Sequence, residues 1–164
     1  MIDPIRELRI RAQKLHRAAR EGDQRSLARV PGTSRDDVQR KDCLAAIARE
    51  HGLRSWAHAL RVLGGDPTEP DLGTLLYPGS DAPYPNHWFA RYDEARAQLD
   101  AHGGWLLGYR EQFVVVEAPF IEALGLDPGD PDWARIGRDW ARPLDRAARG
   151  RLYARLIESA PVER

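Results

Sequence analysis

The run Leu44-Ala45-Ala46-Ile47-Ala48-Arg49-Glu50-His51-Gly52-Leu53-Arg54-Ser55-Trp56 constrains the fold more than any other stretch of this chain. Leu44, Ile47 and Ala48 recur at the three- and four-residue spacing of a buried helical face. Gly52 stands where a helix ends in a left-handed residue, a conformation that costs glycine no side-chain clash. Leu53 supplies the apolar residue that folds back on the last turn, and Ser55 offers an oxygen to the free amides of a second helix. Trp56, Ala59, Leu60 and Leu63 are expected to form the inward stripe of that helix, with Gly64-Gly65 as its stop. A helical hairpin follows.

Upstream stands Lys14-Leu15-His16-Arg17-Ala18-Ala19-Arg20-Glu21-Gly22-Asp23. Taken with the Ile-Ala-Arg-Glu-His-Gly-Leu run and its Ser-Trp, this pattern resembles a helical segment found beside ankyrin repeats in bacterial proteins. The resemblance covers about residues 5–63 and implies a helical interaction or capping module without catalytic residues. No ankyrin repeat accompanies it, since the roughly 33-residue period and its Thr-Pro-Leu-His signature are missing. Ala48, Gly52 and Leu53 also match the spacing of a DNA-binding helix-turn-helix. That motif wants apolar residues where this chain has His51, His58 and Arg61, and its serine falls one place late. Residues 44–63 therefore read better as a plain hairpin, and nucleic acid is not the expected partner.

With 164 residues, the chain can bury a real core as one domain or two small ones. Its 30% charged and 42% hydrophobic residues are ordinary for a soluble globular protein. The net charge of zero conceals an uneven spread, because residues 1–62 carry 14 basic and 8 acidic groups. Such an excess suits a phosphate or an acidic partner, although arginines on solvated helix faces explain it as well. Cys43 is the only cysteine, which excludes an intramolecular disulfide. The charged start and the lack of any membrane-length apolar run point to a cytoplasmic protein.

Asp3 and Pro4 open a first helix, whose face repeats Ile5, Leu8, Ala12, Leu15 and Ala19. Gly22-Asp23 breaks it before a short helix from Gln24, and Ser34 with Asp37 resembles a capping box, although the resemblance implies that the next helix begins later, near Lys41. Residues 64–86 hold too many prolines and glycines for a long regular element, yet Leu75, Leu76, Tyr77 and Tyr84 give them apolar anchors. A docked loop is expected there. Asn86 is expected to cap a helix reaching about Ala101 and carrying Trp88, Tyr92, Ala95 and Leu99. Trp105-Leu106-Leu107 and Phe113-Val114-Val115-Val116 read as a β-hairpin, which needs a covering helix or another edge to be stable. A short helix after Pro119, a further turn from Asp130-Pro131 carrying Trp133 and Ile136, and a longer helix capped by Asp145 complete the chain. The fold class is thus mainly α with a small β-hairpin (α+β): a helical bundle over 1–63, a docked loop over 64–86, and an α+β part over 87–164.

No chemical signature is strong. The histidines at 16, 51, 58, 87 and 102 never fall three or four apart on one helix, so no metal site is expected and they read as structural or surface residues. Asp127, Asp130 and Asp132 read as turn and cap residues, since their spacing breaks the calcium-loop rule. Phosphate-loop, dinucleotide and nucleophile-elbow motifs are missing, and no cofactor is expected. The candidate binding residues are Trp88, Tyr92, Tyr109, Arg110, Gln112, Arg138, Asp139 and Trp140, because aromatics beside arginine are what binding hot spots use. An acid–base pair of His87 with Glu117 or Asp139 is an open alternative. The expected function is a bacterial cytoplasmic interaction module meeting a protein partner. The alternatives are a small enzyme or ligand binder using Tyr109, Arg110 and Asp139, and a DNA reader at 44–63.

Overall fold

The computed structural model describes residues 3–77 and 84–160. Eight helices and one three-stranded antiparallel sheet occur among them, a mainly α arrangement of the α+β class. The first helix, α1 (Pro4–Arg20), begins as its sequence predicts: the Asp3 carboxylate accepts from the Ile5 amide at 2.9 Å. Leu8, Ala12, Leu15 and Ala19 face inward. Then come α2 (Gln24–Ala28), α3 (Arg40–Glu50) and α4 (Trp56–Leu63). The third helix starts later than Ser34, because Asp42 turns back to accept from the Gln39 amide at 2.8 Å. Ser34 instead closes a separate turn onto Asp37, with the hydroxyl donating at 2.6 Å.

The hairpin hinges on Gly52, whose φ is +75°. The Leu53 amide reaches back to the Ala48 carbonyl at 3.0 Å, and the Leu53 side chain is buried. Ser55 caps α4 by accepting from the His58 amide at 3.0 Å. The inward face differs from expectation. His58, Ala59, Val62 and Leu63 are buried, whereas Trp56 is half-buried at the rim under the Arg9 guanidinium, 5.9 Å from the ring centroid. His58 can be buried because backbone satisfies both its nitrogens: Nε2 donates to Asp71 O at 2.7 Å and Nδ1 accepts from the Arg54 amide at 3.0 Å.

The segment after α4 docks as expected, burying Leu75 and Leu76 and pairing Thr74 N with Gly52 O at 2.9 Å. Its breakers Pro78, Gly79 and Pro83 lie outside the described residues. Residues 86–91 correct the expected helix: β1 (His87–Phe89) pairs with β3 (Gln112–Val116), and α5 (Tyr92–His102) begins only afterwards. The third strand, β2 (Trp105–Tyr109), lies on the other side of β3, so β1 is the extra edge the hairpin requires. Three residues cannot announce a strand by periodicity; this one is defined by its partner.

Both faces of the sheet are covered, which explains the unbroken apolar runs in β2 and β3. Leu106 and Val115 turn towards Ala95 and Leu99 of α5. The alternate residues Trp105, Leu107, Val114 and Val116 join the main core. That core is continuous from Leu8 of α1 to Ile157 of the last helix, α8 (Arg146–Ser159). Between them lie α6 (Ala118–Ala123) and α7 (Pro131–Arg135). Gly125-Leu126 ends α6 as Gly52-Leu53 ends α3, with φ +83° and Leu126 buried.

Candidate functional site

Where the N-terminal helices meet the second half, α1, the end of α3, the docked loop and the ends of β2, α6 and α8 line an open cavity of about 630 Å³. The sequence brings polar groups here by ordinary helix geometry. Glu7, Arg11 and Lys14 succeed one another along one side of α1, and Arg49, Glu50 and His51 are the last turn and cap of α3.

Two of the cations are used to bind the wall together. Arg11 pairs with Glu7 at 3.3 Å and donates to the Ile157 carbonyl at 2.9 Å, which ties α1 to the end of α8. Arg29 grips Glu50 through two bonds of 2.8 Å. Both acids in the wall are thereby neutralised. Lys14 and Arg49 are exposed on the same wall and form no ion pair among the described residues. The lining leaves a surplus of two positive charges.

His51 is the unusual member. It is only 7% exposed, and its Nδ1 donates to the Ile47 carbonyl at 2.8 Å. That bond fixes the tautomer, so Nε2 carries the lone pair, and among the described residues this nitrogen has no partner. Burial pushes the imidazole below its ordinary value, against the pull of the Ile47 carbonyl; the ring is neutral at pH 7. An orphaned buried acceptor costs about 1–3 kcal/mol relative to a satisfied one.

Tyr77 and Tyr109 close the cavity with aromatic surface, their ring centroids 5.6 Å apart in edge contact. Tyr77 also stacks on Phe120 at 5.3 Å and meets Trp88 at 5.0 Å. The expected residues Trp88 and Tyr109 thus belong to one ladder, 5.6 Å apart, although only Tyr109 reaches the cavity. Trp88 remains 42% exposed. Arg110 lies over Tyr109 at 5.5 Å and serves mainly through its backbone, exchanging bonds with Leu72 and Gly73 at 3.0 and 2.8 Å. Gln112 is exposed opposite Tyr109 in the turn.

The remaining candidates gather elsewhere. Asp139 is fully buried and accepts from the Tyr92 hydroxyl, from Arg96 at 3.2 Å and from the Arg142 amide at 2.9 Å. Burial and then the Asp139 bond push the Tyr92 hydroxyl up to about 12. Arg142 covers the Tyr92 ring at 3.8 Å, leaving this phenol no free face on that side. Arg138 stacks over Trp105 at 4.4 Å, while Trp140 is core, packed on Trp133 and Tyr153. Asp139 is thus engaged by other partners, and His87 sits exposed on β1.

Asp132 departs from its expected cap role. Its buried carboxylate accepts from Arg151 at 2.8 and 3.0 Å, and from Arg135 and Arg155 at 2.8 Å each. The Arg151 bonds hold it well below the usual carboxylate range, outweighing the opposing effect of burial. Asp127 and Asp130 do act as turn and cap residues.

Sequence reasoning missed Arg11, Lys14, Arg49, His51 and Tyr77 as a group. The one available signal was the basic excess of residues 1–62. Among the described residues no cluster of histidine, cysteine and carboxylate could hold a metal ion, and no helix is long and apolar enough to cross a membrane. Comparisons with family models, with curated proteins and with solved structures find no match for the chain.

Proposed function

We propose that this protein binds a small molecule in the cavity between its N-terminal helices and its second half. One observation carries the reading: His51 of the cavity wall is buried with Nε2 unpartnered. A volume of about 630 Å³ falls within the roughly 300–1,000 Å³ of ordinary ligand pockets. The mixed wall, part aromatic and part charged, is what fixes the orientation of a small ligand. This moves the ligand-binding alternative from the second half alone to the seam, with Tyr109 as the residue they share.

A screen of mixed small fragments by amide NMR tests it. Shifts should concentrate at residues 11, 47–52, 74–77, 109 and 156, and Leu124→Trp, which fills the cavity from its edge, should abolish them. Fragments that perturb only other surfaces, or none at all, refute the reading.

A second reading, a cytoplasmic bacterial interaction module, draws on the exposed Trp88 and on the resemblance of residues 5–63 to an ankyrin-associated segment. Exposed tryptophan beside tyrosines is typical hot-spot chemistry. It requires one defined partner held by the intact protein and released by Trp88→Ala. Duplex DNA binding that weakens steeply with salt would favour a DNA reader at residues 44–63 over both.

A further inference from the structure

The wall of the cavity carries more information than its size. Its acids are spent on Arg11 and Arg29, while Lys14 and Arg49 stand unpaired among the described residues. A neutral or cationic guest would leave those two charges uncompensated; an anion would not. Next to them His51 offers an acceptor that nothing fills. Tyr77 and Tyr109 offer ring edges and faces to a flat apolar body.

Resting on the reading above, we infer that the ligand is a small ring-bearing organic acid, its carboxylate or other anionic group meeting Lys14 and Arg49 and an O–H or N–H of its own donating to His51 Nε2. Each element has a separate physical reason. The two cations are solvated, so they steer and select more than they hold, each exposed pair being worth well under a large affinity gain. Selectivity for the donor rests on His51. A site with a buried acceptor rejects analogues that cannot satisfy it far more strongly than it rejects a change in apolar size. Neutral histidine is required for this, and the Nδ1–H bond to Ile47 supplies the right tautomer. Nε2 is shut off from solvent in this structure, so the wall must shift slightly when the donor arrives.

Asp139 and Asp132 have their acceptor oxygens occupied by tyrosine and arginine, and His58 has both nitrogens on backbone. Asn86 Oδ1, Trp105 Nε1, Trp140 Nε1 and Tyr153 OH are also buried without a partner among the described residues, but only His51 of this group lines the cavity.

Three matched probes separate the elements: 6-hydroxy-2-naphthoate, 2-naphthoate and 6-hydroxy-2-naphthamide, titrated into the full chain and followed by amide NMR and by the ¹⁵N shift of His51 Nε2. The hydroxy acid should bind most tightly and move the Nε2 resonance as a hydrogen-bond acceptor does. Removing the hydroxyl should cost about tenfold and leave that resonance in place. Replacing the carboxylate by the amide should cost about fivefold, and Lys14→Gln with Arg49→Gln should erase that difference. Both substituted residues are exposed, and an unchanged amide spectrum elsewhere verifies the fold. Equal binding of acid and amide, or an Nε2 resonance indifferent to the hydroxyl, overturns this ligand class while fragment binding at the cavity still supports the broader reading. If the mixed fragments also leave the cavity residues untouched, both fall together.

Discussion

The two halves of this molecule bury polar groups by opposite means. Residues 3–63 sink two histidines, His51 and His58, and hold them with backbone carbonyls and an amide. Residues 87–160 sink two aspartates, Asp132 and Asp139, and surround them with arginine and tyrosine. His51, kept neutral by burial and held by a backbone carbonyl, needs no counter-charge. A buried carboxylate needs several donors at once, and the second half spends its arginines on them. Lys14 and Arg49 of the N-terminal helices, without an ion pair among the described residues, are thus available to a ligand, whereas much of the positive charge further on is consumed internally.

Removing a buried carboxylate should test this contrast most severely. Asp139→Ala strands the Tyr92 hydroxyl, the Arg142 amide and one side of Arg96. It is expected to lower stability by about 3–4 kcal/mol in urea unfolding followed by circular dichroism. His58→Leu is its counterpart in the first half. It strands the Asp71 carbonyl and the Arg54 amide, both near enough to the surface to find water, and should cost about 1–2 kcal/mol. Equal losses would erase the distinction between the halves.

Between these two lies a substitution that probes how the halves are joined. At Gly52 an added Cβ would sit 2.9 Å from the Leu75 amide nitrogen and against the Thr74 side chain, on a residue already at φ +75°. Gly52→Ala combines left-handed strain with a clash against backbone, so a loss of about 2–3 kcal/mol is expected. Because the docked loop forms part of the cavity wall, the same variant should also displace the amide resonances of residues 74–77. A variant as stable as the parent would mean that the loop is not seated on the helix turn as described.

What was legible in the sequence follows the same division. Local chemistry reads out directly: Asp3, Ser55 and Asp145 cap the helices expected of them, Asp130 opens a short helix where a turn is expected, and Gly52-Leu53 and Gly125-Leu126 end theirs in the same way. Pairing across the chain does not. Strand β1 exists because β3 offers it an edge, and Asn86 before Trp88 is locally just as good a helix start. The inward face of α4 misled because tryptophan outranks histidine in hydrophobicity, while His58 has two backbone partners and Trp56 has only the rim. Of the expected binding residues, Tyr92 and Asp139 do meet, 47 positions apart, and Trp88 meets Tyr109. The cavity itself was not readable, since its wall joins α1, α3 and residues 74–77 to the far ends of β2 and α8, and no local window contains that combination.

The smallest expected effect, and the sharpest for the contrast, is in pH. His51 titrates lower in the folded protein than its ordinary value of about 6.5, because burial disfavours the imidazolium. Below that value the unfolded chain takes up a proton that the folded chain refuses, so stability falls as pH falls and levels off only beneath the folded value. Asp132 is also displaced downward, but from about 3.9; above that value both states are ionised and its stabilisation is fully present. Its contribution is lost only in stronger acid. Urea titrations from pH 7.5 to 5 should therefore show a shallow decline that His51→Leu flattens and Asp132→Asn leaves unchanged in slope, although the latter lowers stability throughout. The histidine-dependent decline should steepen and reach to lower pH when a ligand donor occupies Nε2, because a nitrogen already accepting a hydrogen bond resists the proton further. A slope indifferent to His51→Leu would mean that the ring is not held neutral by burial, and the uncharged acceptor assigned to the cavity wall would go with it.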